Sequence, residues 1–140
     1  MKLTLQHIHM RSKDKVRLAN WYCETLGFKI IEDLESRGEL NGPILITSDD
    51  GKTGLSIFKS EKEPNNVFPA FGTDLKTFFA LREKLQNPRI FDHYQFFSFY
   101  LKDLDQNKIE ICCTDYHAMN VYLAHGKFEY YLMTPETYTP

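Results

Sequence analysis

Leu3-Thr4-Leu5-Gln6-His7-Ile8-His9-Met10, with Asp14, Leu18, Trp21, Tyr22, Leu26 and Gly27-Phe28 after it, is the stretch on which the fold reading turns. Its first part alternates. Leu3, Leu5, His7 and His9 share one face, and Thr4, Gln6, Ile8 and Met10 share the other, which predicts a strand over 3–10. The period then changes. Asp14 suits a helix N-cap, and Leu18, Trp21, Tyr22 and Leu26 recur at helical spacing. Gly27 supplies the stop. Residues 28–34 and 44–47 read as strands, and Asp49-Asp50-Gly51 turns the chain into another at 55–58. The order is βαβββ.

The same order recurs downstream. Residues 67–72 read as a strand, Asp74 as a cap, and Leu75, Phe78, Phe79 and Leu85 as a helical stripe ended by Asn87-Pro88. A short strand over 91–94, a longer one over 96–101, a turn at 103–107 and a strand at 108–113 complete it. Polar Ser60 to Asn66, with Pro64, reads as a linker. This places module 1 at about 3–59, the linker at 60–66, module 2 at about 67–114 and a tail at 115–140. Tyr116 to Ala124 in the tail reads as a short helix that packs on a partner. A half of roughly 55 residues buries little core by itself, so pairing is expected.

Composition narrows the function. Hydrophobic residues at 42% and charged residues at 26% exclude a disordered chain, and a net charge of −2 without a basic stripe argues against nucleic acid as partner. No apolar run approaches the ~18 residues that span a bilayer. Cys23, Cys112 and Cys113 are odd in number and lack metal spacing, which suits buried thiols in a reducing, cytoplasmic setting. Eleven Phe and eight Tyr point to a ring-lined interior or pocket.

Two segments carry a family resemblance. One is His7-Ile-His-Met-Arg-Ser-Lys-Asp14 with Trp21-Tyr22 and Leu26-Gly27-Phe28. The other is Ser98-Phe-Tyr-Leu-Lys-Asp103 with Asp105-Gln-Asn-Lys-Ile-Glu110. Over residues 3–114 the doubled order resembles the vicinal oxygen chelate superfamily, which includes glyoxalase I, extradiol dioxygenases, fosfomycin-resistance enzymes and bleomycin-resistance proteins. The resemblance implies an α+β fold of two paired βαβββ modules forming a half-barrel cavity, and a homodimer. It also implies a divalent metal, Zn, Mn or Fe, with His7 and Glu110 on ligand positions. The position of the second-module ligand His is Phe68, and a phenyl ring cannot ligate. Ser56 falls on the fourth position and is a poor donor. His9, two residues after His7 on the same strand face, is a tentative replacement. The Arg that grips a phosphonate in the fosfomycin-resistance members is missing from 115–119.

By parity, Phe58, Phe68, Phe96 and Tyr100 point into the cavity, and Ser98 resembles a pocket-lining position. Three readings follow. The first is a glyoxalase/bleomycin-resistance-like protein binding a small aromatic or apolar molecule, its metal site degraded at Phe68 and no metal expected. The second is a metal-dependent lyase, isomerase, dioxygenase or resistance transferase using His7, His9 and Glu110. The third is a structural or interaction domain with a filled interior. Trp21, Tyr22, Phe78 and Phe79 are assigned to helix cores, and His93, His117 and His125 to no site.

Overall fold

The computed structural model describes residues 1, 3, 5–62 and 68–126, together with the backbone of 130–132. The chain divides into two compact units, Met1–Val67 with Asp103–Asn107, and Phe68–Lys102 with Lys108–Pro140. The architecture is α+β, with one mixed sheet in each unit and three helices in all among the described residues. Neither sheet closes into a barrel.

In the first unit the strands β1 (His7–Ser12), β2 (Lys29–Asp33), β3 (Ile44–Thr47) and β4 (Gly54–Lys59) lie in the order β1-β4-β3-β2. β1 runs parallel to β4, and the other pairs are antiparallel. The helix α1 (Lys15–Leu26) links β1 to β2. Asp14 caps it by accepting from the Arg17 N–H. Gly27 closes it at φ +75°, a left-handed conformation that glycine adopts without a Cβ clash. Leu18, Ala19 and Tyr22 on α1 are buried with Met10, Ile44, Ile46, Leu55 and Ile57 of the sheet. The expected strand at 3–10 is shifted. It begins at His7 because its partner β4 begins at Gly54, and it runs on to Ser12 because β4 runs to Lys59. Leu3 and Leu5 precede the ladder and are exposed. Lys2 and Thr4 lie outside the described residues.

The turn at Asp103–Asn107 belongs to the first unit. Asp103, 2% exposed, accepts from the backbone N–H groups of Asp105 and Asn107 and from the Asn107 amide. The Tyr22 hydroxyl donates to it at 3.0 Å. Burial, and then the Asp103 carboxylate, push the Tyr22 hydroxyl far above its ordinary value, so it stays a donor throughout the working pH range.

The second unit repeats the plan with β5 (Ala70–Thr73), α2 (Leu75–Lys84), β6 (Ile90–Asp92), β7 (Phe97–Lys102) and β8 (Lys108–Cys113). Its order is β5-β8-β7-β6-β9, the last being Tyr130–Leu132, parallel to β6. The expected strand at 67–72 starts later, at Ala70. Pro69 has no N–H for the ladder, and its carbonyl accepts from the Glu110 N–H at the sheet edge. Val67 lies outside the described residues. α2 ends at Lys84, before the expected Asn87-Pro88 stop, because Gln86 and Asn87 take positive φ. The helix α3 (Tyr116–His125) packs within this unit. Met119 and Leu123 are buried, and the Tyr116 ring stacks on Phe97 at 5.0 Å. Phe78, Phe97, Phe99, Ile109 and Ile111 fill the core, whereas Phe79 is half-buried against Tyr122.

Candidate functional site

Residues paired in register share a sheet face. In the second unit Phe97, Phe99, Ile109, Ile111 and Cys113 take the buried face. The alternate residues Ser98, Tyr100, Lys108, Glu110 and Cys112 take the other face, with Phe91 opposite Ser98 and Ala70 opposite Glu110. A four-residue loop joins β6 to β7. It is closed by the His93 N–H donating to the Phe96 carbonyl at 3.0 Å, and Tyr94 at its tip has φ +67°. His93 and Phe96 thus flank a hairpin loop, and their rings stack at 4.5 Å and 14°.

This hairpin brings His93 back over β7. Its Nε2 lies 2.7 Å from Ser98 Oγ, 3.3 Å from the Tyr100 hydroxyl and 3.6 Å from Glu110 Oε1. The Tyr100 hydroxyl donates to Glu110 Oε1 at 3.1 Å. The His93 and Glu110 side chains are 16% and 14% exposed, so this polar cluster is largely but not wholly withdrawn from water. A carboxylate in that setting is tolerable because it is hydrogen-bonded. Aromatic rings surround the cluster. Phe91 lies 5.6 Å and Phe68 5.9 Å from Tyr100, centroid to centroid. Phe68 remains 41% exposed. The Lys108 ammonium stands over both the Phe68 and Tyr100 rings. Cys112 shares the face, and its thiol donates to the Phe71 carbonyl. Burial, then Glu110 and Cys113, push that thiol up, which opposes a nucleophilic role.

The first unit has a smaller cluster. His7 and His9 lie on the exposed face of β1, with their Nε2 atoms 3.1 Å apart. His7 Nδ1 meets Gln6 Oε1 at 3.0 Å. The His9 ring lies 5.3 Å from Phe58, and Ser56, in register with His9, is buried. A separate groove of about 640 Å³ runs beside α1 past Asp14, Arg17, Trp21 and Glu24, away from every residue singled out in the sequence for a site.

Of those residues, Phe68, Phe96, Ser98, Tyr100 and Glu110 thus come together in the second unit, and His7, His9 and Phe58 in the first. His93 was missed. Its signal is Asp92-His93-Tyr94-Gln95 between two apolar runs, the composition of a tight hairpin loop. Reading 91–94 as strand hid it. A metal is what the fold family implies. Among the described residues no group of three or more His, Cys, Asp or Glu side chains could hold an ion, so they present no complete ligand set.

The comparisons agree with the fold. The model of the Glyoxalase/Bleomycin resistance protein/Dioxygenase superfamily matches residues 4–111, more than half of the chain. The chain belongs to that superfamily. Among solved structures it is similar to an oxidase, ChaP-H2, at 18% identity and a TM-score of 0.62, covering 83% of this chain and 97% of the other. A possible glyoxalase from Bacillus cereus is 16% identical, with a TM-score of 0.60 over 80% of this chain and 100% of its own. A glyoxylase/bleomycin resistance protein/dioxygenase domain from Frankia sp. EAN1pec is 14% identical, with a TM-score of 0.66 over 81% and 99%. At these identities the likeness is one of fold. No curated protein matches the chain. Among the described residues no helix is long and apolar enough to cross a membrane.

Proposed function

We propose that this superfamily member binds a small aromatic or apolar molecule on the Ser98–Tyr100–Glu110 face of the second sheet. One observation carries the reading. Four rings, Phe68, Phe91, Phe96 and Tyr100, surround a hydrogen-bonded set of His93, Ser98 and Glu110 on one sheet face. Rings offer a planar ligand stacking area, and a few polar atoms fix its orientation. The metal site is degraded in this reading. Phe68 stands on the ligand position, and its exposed ring serves as contact surface instead.

Thermal shift with 2-naphthol, indole and quinoline tests it. A binder of the native state raises Tm with concentration, and Phe68→Ala, at an exposed position, lowers the response without unfolding the protein. The absence of any shift at millimolar probe overturns the reading.

One observation favours a metal-dependent alternative at the His7–His9 pair of the first unit. The two imidazole Nε2 atoms are 3.1 Å apart, near the ~3.4 Å that two nitrogens on one tetrahedral zinc ion take. Stoichiometric Zn, Mn or Fe in purified protein, lost in His7→Ala, decides for that alternative. Metal-free protein that binds an aromatic probe decides for the first.

A further inference from the structure

The Lys108 ammonium lies 4.9 Å from the Phe68 centroid and 4.6 Å from the Tyr100 centroid. Those two rings are 5.9 Å apart and tilted by 44°. One ammonium therefore sits within contact range of two aromatic faces, whose quadrupoles attract cations. Behind it, Tyr100 donates to Glu110, the acidic residue of this sheet face among the described residues. We infer that the Phe68–Tyr100 notch, backed by Glu110, is a site for an organic cation on an apolar frame, and that Lys108 is the built-in occupant such a ligand displaces. The inference rests on the aromatic-face reading above and adds the charge of the ligand.

At the two ring faces one cation replaces another. Lys108 sits on β8 next to the Asp103–Asn107 turn, and its flexible four-carbon stem lets the ammonium swing away. A primary ammonium is strongly hydrated and regains water as it leaves. A quaternary ammonium is poorly hydrated and loses little on entering. The ring–cation attraction given up by Lys108 is recovered by the ligand. The ligand's apolar contact with Phe91 and Phe96 then decides the direction. An anion has the opposite fate. It gains Lys108 but meets the Glu110 carboxylate on the same face.

Calorimetric titration with three matched probes tests this. They are 4-hydroxy-N,N,N-trimethylanilinium, its neutral isostere 4-tert-butylphenol, and anionic 4-tert-butylbenzoate. The expected order in the wild type is cation, then neutral, then anion. Lys108→Met removes the competing charge and tightens the cation by about tenfold. Lys108→Arg keeps a plug and leaves affinity near that of the wild type. Glu110→Gln weakens the cation by roughly fivefold or more and barely alters the phenol. Circular dichroism confirms the fold of each variant. If cation and phenol bind equally and Lys108→Met changes neither, the inference falls and the aromatic-face reading stands. Preference for the benzoate, lost in Lys108→Met, also overturns it. If no probe binds, both fall.

Discussion

Tyr100→Phe isolates the polar heart of the second sheet. The change keeps the ring and so its contacts with Phe68 and Phe91, and it removes the hydroxyl that donates to Glu110 at 3.1 Å. His93 keeps Ser98 at 2.7 Å, so the loss falls mainly on the carboxylate. A hydrogen bond to a charged group contributes about 1.5–3 kcal/mol. The Glu110 side chain is 14% exposed, so water replaces part of it. The lower end, ~1.5 kcal/mol, is therefore expected, or a fall in Tm of about 3–6 °C for a chain of this size. Urea denaturation measures it as a lower midpoint at unchanged slope. Adding Glu110→Leu restores most of the loss, because an apolar pair in place of both partners leaves no buried group unsatisfied. If Tyr100→Phe matches the wild type, or if the double variant is the weaker of the two, the hydrogen-bonded cluster is not what holds this face together.

Lys15 is 5% exposed and donates to Glu35, Asp33 and the Gly42 carbonyl, tying α1 to the segment after β2. Lys15→Met leaves these acceptors without their cation and is expected to cost about 2–3 kcal/mol by chemical denaturation, reduced from the fully buried case because both carboxylates are partly exposed. Burial pulls the Lys15 ammonium down, but Glu35 and Asp33 together outweigh it and hold it above its ordinary value of 10.5. The folded state thus holds this proton more tightly. From neutral pH upward the stabilisation is present in full below 10.5 and is lost as pH rises through the raised folded value, so on the alkaline side the gap between wild type and Lys15→Met narrows only in strong alkali. A gap that closes near neutral pH contradicts this. Phe78→Ala empties a fully buried site against Phe99 and is expected to cost about 3–5 kcal/mol, with a cost under 1 kcal/mol excluding it from the core. Cys112, with its thiol raised by burial, Glu110 and Cys113, is expected to react with iodoacetamide at pH 8 more slowly than free cysteine, and equal rates refute the assignment.

Local patterns made much of the fold legible. Alternation placed the strands within a few residues, and Asp14, Gly27 and Asp74 marked helix ends, because a cap or a left-handed turn depends on neighbouring residues alone. Parity also put Ser98 and Tyr100 on one face, since side chains on a strand alternate whatever the strand pairs with. Partners and register are long-range and had no such signature. Pairing with β4 trimmed β1 to His7–Ser12, and pairing with β6 gave the second sheet its fifth strand from the tail. The same holds for the site. His93 meets Glu110 across 17 positions of sequence (110 − 93) because a tight loop and one antiparallel register bring them together. Composition and periodicity determine which residues can stand on a sheet face. Only the tertiary packing decides which of them touch, because contact depends on where the backbone returns.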